Sequence, residues 1–211
     1  MSKEEIKKEL GMTYAELVKH LLAKYGSAKE DYFLDDDFKT KNPRISRTSE
    51  GLYCHHIDED KEIMLSVKNY AKEAPFEYQL ADRLVYCNIL EHLLLHIKIT
   101  EEPPAKGFNF LQRQGRGGAI NIMIPQINDY YNGYEFKREY LKKAFSLIKN
   151  NYKDYIEVLK HFYSIPRNFP SDVWTITKEN LSRSYKTKEV IDKIYKELKP
   201  LPYISDNILD Y

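Results

Sequence analysis

The run LVYCNILEHLLLHIKI, residues 84 to 99, limits what this chain can become more than any other stretch. From Ile89 onward its apolar side chains, Leu90, Leu93, Leu94, Leu95, Ile97 and Ile99, do not keep to one stripe but pass nearly all the way round a helix. Such a helix has to be enclosed by the rest of the chain. Asn88 can cap its first turn and Glu91 completes a capping box, so the helix is expected to begin near Ile89. Pro103 and Pro104 are expected to end it. Two imidazoles, His92 and His96, lie four residues apart on it. Residues at that spacing are neighbours, with Cβ atoms roughly 5–6 Å apart, so one metal ion can be shared by both rings. A buried imidazole without a partner costs on the order of 1–3 kcal/mol. Ligation would satisfy both rings at once; hydrogen bonds to backbone carbonyls would serve equally. A zinc-protease helix is excluded, because that motif needs Glu directly after the first histidine and here Glu91 precedes His92 while Leu93 follows it.

The remaining pattern is helix-rich α+β. Thr13 and Glu16 form a capping box ahead of the stripe Tyr14, Leu17, Val18, Leu21, Leu22, Tyr25, which stops at Gly26; His20 lies off that stripe and reads as a surface residue. A polar arm follows, with Lys39, Lys41, Arg44 and Arg47 after an acidic run. GLYCHHI and RLVYC have the β-rich composition of short strands, and the 25 or so residues between them are too many for a hairpin turn, so they should fold locally. Beyond the prolines, Ala119 to Ile124 is expected to be a strand. A long helical region from about Glu135 to Tyr163, broken near Asn150 and Asn151, and a final helix in KTKEVIDKIYKEL complete the chain, with Pro166 and Pro170 between them. The expected division is an N-terminal helix and basic arm over 1–50, a two-strand-and-helix unit over 51–102, and a mainly helical region over 103–211 packed on it.

Charge narrows the function classes. The 33 Lys and Arg against 32 Asp and Glu leave a formal charge of +1, so binding to nucleic acid must come from local patches. No window reaches the roughly 18–20 apolar residues of a membrane span, and the N-terminus lacks a signal-peptide core, from which a cytoplasmic protein with no membrane partner is expected. Two cysteines, Cys54 and Cys87, do not make a disulfide framework. They read as small buried side chains, or as members of a structural zinc site together with some of the histidines.

A second histidine pair, His55 and His56 in CHHI, stands upstream of the helix. The order CHHI at 54–57 and RLVYCNILEHLLLH at 83–96 resembles the HNH, or ββα-metal (His-Me) finger, endonucleases, whose common pattern runs HHI and then NLVxLxxxEHxxxH. The resemblance covers these positions and says nothing of the rest of the chain. It implies a ββα-metal finger and a metal-dependent DNA endonuclease with one divalent ion (Mg, Mn, Ni or Zn). In the three-histidine version of the finger, His55, His92 and His96 hold the metal and His56 is the general base. Neighbouring strand residues point to opposite faces, which is compatible with one ring on the ion and the next facing the scissile phosphate. The family's middle Asn falls on Arg83, with Asp82 beside it; Arg83, Asp82 or a backbone carbonyl is left to fix the base.

Hydrolysis on this plan uses neutral His56 to take a proton from water and the ion as Lewis acid, and implies 5′-phosphate and 3′-hydroxyl ends. Grip on duplex DNA is expected from Arg113 and Arg116 in the glycine-rich QRQGRGG, where backbone can approach a phosphate, and from the arm of Lys39, Lys41, Arg44 and Arg47. A faint helix-turn-helix cadence includes Arg183, Lys186 and Lys188. The alternative from another class is a zinc-stabilised nucleic-acid-binding or interaction protein that keeps the finger without cleavage.

Overall fold

The computed structural model describes residues 3–102, 115–165 and 189–198. Its architecture is α+β, with one small antiparallel sheet among helices. The chain begins with α1 (Lys3–Leu10) and α2 (Tyr14–Tyr25). The Thr13–Glu16 capping box is formed as expected, the Thr13 hydroxyl accepting from Glu16 N and the Glu16 carboxylate from Thr13 N. After a long arm of turns, β1 (Tyr53–His56) pairs with β2 (Leu84–Cys87) in the register Tyr53 to Cys87, Cys54 to Tyr86, His55 to Val85 and His56 to Leu84. The residues between the strands fold locally into 3₁₀ turns and α3 (Lys68–Ala71).

Helix α4 (Ile89–Glu101) follows β2 directly and is the hub of the fold. It touches α2, both strands and, further on, α5 (Arg116–Gly118), a π-helical turn (Ala119–Met123) and α8 (Tyr152–Ser164). Leu90, Leu93, Leu94, Leu95 and Ile97 are inaccessible to solvent, which is what an all-round apolar helix requires. Its N-terminus is capped as the sequence predicts: Asn88 Oδ1 accepts from Leu90 N (2.9 Å) and Glu91 N (3.0 Å), and Glu91 Oε2 accepts from Asn88 N (2.7 Å). The principal core runs from α1 and α2 through α4 to α6 (Ile124–Tyr131), α7 (Glu139–Ser146), α8 and α9 (Glu189–Leu198), so both halves of the chain share it. The break predicted near Asn150 and Asn151 separates α7 from α8. Among the described residues no helix is long and apolar enough to cross a membrane.

Two expectations are corrected. The predicted strand Ala119–Ile124 is the π-helical turn leading into α6. Its β-branched residues read as a strand, but Ala119, Met123, Ile124 and Ile127 share the face buried in the main core, and tertiary burial overrides a propensity worth at most about 1 kcal/mol. His20 is not a free surface side chain: it is half-buried, with Nε2 3.4 Å from Glu9 Oε1. Arg113, Pro103, Pro104, Pro166, Pro170 and the cadence of Arg183, Lys186 and Lys188 lie outside the described residues.

Because α4 organises the core, its cap should matter to the whole protein. Asn88→Ala removes the acceptor for two backbone N–H groups and is expected to cost about 1–2 kcal/mol. Urea unfolding checks this, with a lower midpoint and an unchanged slope.

Candidate metal centre

Strand β1 and helix α4 bring three imidazoles together. The ring centroids of His55 and His92 are 5.2 Å apart, those of His55 and His96 5.3 Å, and those of His92 and His96 4.9 Å. One nitrogen from each ring lies within 4.8 Å of the others. The i, i+4 spacing puts His92 and His96 on one side of α4, and the pairing of β1 with β2 holds His55 across from them.

Hydrogen bonding settles which nitrogens hold lone pairs. Tyr14 Oη donates its single proton to the Ile57 carbonyl (2.8 Å), so in its 3.0 Å contact with His55 it accepts from Nε2–H. His55 Nδ1 is therefore the unprotonated atom, and it is buried with no hydrogen-bond partner. His96 Nδ1 lies 3.0 Å from the Gly115 carbonyl, which can only accept, so Nδ1 carries the proton and Nε2 the lone pair. His92 Nδ1 is likewise buried without a hydrogen-bond partner. Burial pushes His55 and His92 well below the ordinary imidazole range and His96 to about 4. Neutral, buried rings with orphaned nitrogens are the donor set that a divalent ion such as Zn²⁺ takes up, so the residues fit a metal.

Two glycines shape the approach to His96. A Cβ on Gly118 would lie 2.6 Å from His96 Cε1 and Nδ1, and one on Gly115, whose φ is +79°, would lie 2.3 Å from the His96 carbonyl oxygen. The glycines of QRQGRGG, expected to let backbone approach a phosphate, include these two, which instead let α5 close on α4 and aim His96. Arg116, expected to grip a DNA phosphate from the glycine-rich segment, is buried and lines the same cavity as the histidines.

His56 points away from the triad. Its ring packs on Tyr32, with centroids 4.3 Å apart, and its Nε2 is 2.9 Å from Gln79 Oε1. Gln79 Nε2 donates to the Leu65 carbonyl (3.2 Å), which orients the amide. Gln79 Oε1 therefore accepts from His56 Nε2–H, leaving the lone pair on Nδ1. Burial lowers the His56 pKa to about 4, partly offset by the Gln79 bond, so the ring is in its base form at neutral pH. His55, His56, His92 and His96 all line a cavity of about 690 Å³ between the strands and the 115–126 segment, rimmed by Ile63, Met64, Val67 and Ile122.

The residues predicted to fix His56 do not touch it. Arg83 makes a two-pronged contact to Asp58 (Nε to Oδ2, 2.7 Å, and Nη2 to Oδ1), and Asp82 is exposed. Arg83 thus ties the start of β2 to the turn after β1, and the contact on His56 falls to Gln79. Nothing in the sequence marks Gln79, because it lies 23 positions from His56 on a locally folded excursion.

Glu59 is the second residue that the sequence reading misses. Its Oε2 is 3.3 Å from His96 Nε2 and 3.6 Å from His55 Nδ1, and burial raises its carboxyl to about 7. The acidic run directly after CHHI was the available signal. The cysteines stay out of the group, with burial raising the Cys54 thiol to about 12 and that of Cys87 well above its ordinary range, which disfavours the thiolate a metal needs.

The basic arm is largely neutralised within itself. Lys39 is bound to Asp37, Arg44 to Glu30 (2.7 Å) and Arg47 to Glu50 (2.7 and 2.6 Å). Lys41 differs: its Nζ reaches Tyr32 Oη at 3.3 Å, and Tyr32 is the ring packed on His56. Of the four arm cations, Lys41 is the one the fold carries toward the site. No family model, curated protein or solved structure matches this chain.

Gly118→Ala tests the packing. The added methyl must displace the His96 ring, so Zn²⁺ affinity by calorimetric titration is expected to fall at least tenfold, the lower range for losing a group that orients a ligand. Gly117→Ala, where a Cβ would meet Asn121 Nδ2 at 4.0 Å, an ordinary contact, is expected to leave it unchanged.

Proposed function

We propose that the chain is a metal-dependent DNA endonuclease built on an HNH-like ββα-metal finger over residues 51–102. One observation carries the reading: two adjacent histidines of one strand are both held with the proton on Nε2 and the lone pair on Nδ1, but on opposite sides and by different partners, Tyr14 and Gln79, and both line one cavity. His55 joins His92 and His96 with its lone pair directed away from Tyr14, while His56 stands apart with its lone pair on Nδ1. A purely structural metal site has no use for the second arrangement.

On this reading His55, His92 and His96 would hold one divalent ion, with Glu59 beside two of them. The ion would supply Lewis acidity to a phosphate oxygen and to the departing 3′ oxygen. His56 Nδ1 takes the proton of the attacking water. A base lowered to about 4 is fully available at neutral pH but weak, so its contribution depends on position as much as on basicity. Gln79 holds the proton on the far nitrogen, which keeps Nδ1 free and fixes the ring plane. Arg116 in the cavity wall and Lys41 above Tyr32 place positive charge near the cavity, where a phosphate would be drawn. The paired state of Lys39, Arg44 and Arg47 makes the arm a weaker contact than its composition suggests.

Glu59 favours a second reading. A carboxylate beside three histidines can complete a four-ligand, closed site, and closed sites are structural. The chain would then be a zinc-stabilised binding module. Glu59→Gln separates the two: a large loss of metal affinity is expected for a closed site, and near-wild-type affinity for an open one.

Cleavage of supercoiled plasmid with Mg²⁺, Mn²⁺, Ni²⁺, Zn²⁺ or EDTA tests the proposal. His56→Ala is expected to lower the rate by roughly 10²–10⁴ with metal affinity kept, whereas His55→Ala, His92→Ala and His96→Ala should lose metal first and activity as a result. If wild type binds metal and cuts with none of these ions, the binding module is the correct reading.

A further inference from the structure

A second group of ligand atoms lies between α1 and α2. Among the described residues, two clusters bring three metal-ligating side chains within 4.8 Å of one another: the histidine triad, and Glu5, Glu9 and His20. Glu5 and Glu9 are one helical turn apart on α1, so their carboxylates share a face, and His20 comes from the middle of α2. His20 Nε2 is 3.4 Å from Glu9 Oε1. Two ligands on a tetrahedral ion at about 2.0–2.2 Å stand roughly 3.3–3.6 Å apart, so this separation already matches one edge of such a site.

The independent sign of a missing ligand is Glu9. Its side chain is 0% exposed, and neither carboxylate oxygen has a hydrogen-bond partner. His20 Nε2, facing it, has no hydrogen-bond partner either. Buried carboxylates are almost always paired, hydrogen-bonded or bound to a metal. Local charge points the same way. Lys24 Nζ is bonded to Glu5 and to Glu91 (2.7 Å), so one ammonium serves a neighbourhood of three carboxylates. Both of those bonds leave Glu9 aside. A divalent ion would instead take the carboxylate lone pairs and balance the charge.

We propose that Glu5, Glu9 and His20 form a second divalent-cation site, of the Zn²⁺ class, that clamps α1 to α2. One imidazole nitrogen and two carboxylate oxygens suit Zn²⁺ better than Ca²⁺ or Mg²⁺, which favour sites of oxygen alone with six or more ligands. The site is separate from the histidine triad in its residues: none of them lines the cavity that holds the triad. Its effect is structural, because α1 is only eight residues long and is joined to α2 by a short turn. It does not depend on the nuclease reading.

Zinc per chain after dialysis, measured by plasma mass spectrometry, tests it on wild type, Glu9→Gln, His20→Gln and the double variant His92→Ala/His96→Ala. Glu9→Gln keeps the shape of the buried side chain while removing its charge and most of its affinity for zinc. His20→Gln, at a half-exposed position, guards against misfolding of the buried variant. The double variant is expected to retain one ion, and Zn²⁺ should raise its melting temperature. Adding Glu9→Gln or His20→Gln to that background should abolish both the ion and the shift. A double variant that holds no zinc, or one whose zinc survives both substitutions, overturns the proposal. Loss of the ion at the triad alone is read separately, as wild type and the double variant then contain the same amount.

Discussion

Helix α4 is enclosed on every side, and several of the polar groups it carries therefore draw partners from other elements. Glu91 closes its own capping box and also accepts from Lys24 and Tyr25 of α2. Lys98, almost fully buried, donates to the Leu10 carbonyl at the end of α1 and to Glu101. His96 donates to the Gly115 carbonyl. An unsatisfied buried polar group costs on the order of 1–3 kcal/mol, so these contacts fix the order in which α1, α2, the strands and α5 gather round the helix. The exceptions are informative. His55 and His92 each present a buried nitrogen with no hydrogen-bond partner at the same point, and that is where the proposed metal would complete the accounting.

The two histidines of β1 illustrate how one strand places neighbouring side chains in two different environments. Strand alternation alone sends His55 and His56 to opposite faces. Tyr14 then fixes the proton of one ring and Gln79 that of the other, each accepting from Nε2–H while its own donor group, the Tyr14 hydroxyl or the Gln79 Nε2, bonds a backbone carbonyl. Burial keeps both rings neutral, the form needed by a ligand and by a base alike. Placing Glu59 beside His55 and His96 modifies the picture of three neutral ligands: a carboxylate there reduces the net charge of a bound ion, so the balance between an open and a closed site rests on that one side chain.

The basic residues show how far composition can mislead. Lys39, Lys41, Arg44 and Arg47 look alike in the sequence, yet three of them are held by acids within a few residues or across the arm, and Lys41 alone leans on the ring that packs against His56. Surface ion pairs of this kind are individually weak, but they lower the positive potential an arm can offer. Arg116 moves the other way, from an expected phosphate contact into the cavity wall, because the glycines around it serve close packing against α4.

What the sequence determined by itself was local or periodic. The capping boxes at Thr13 and Asn88, the burial of α4, the two short strands and the pairing of His92 with His96 all follow from residues within about five positions of one another, where chain geometry alone sets the contact. The break between α7 and α8 belongs with them. Tertiary structure decided everything that required distant segments to meet: Gln79 on His56, Glu59 between His55 and His96, Gly118 against the His96 ring, and Glu9 shut in beside His20. It also turned 119–123 from an apparent strand into a π-helical turn, because burial against the core outweighs the small preference of β-branched residues for extended backbone. A periodic pattern reports which face of an element is buried; which polar group comes to stand on that face depends on partners that the pattern does not encode.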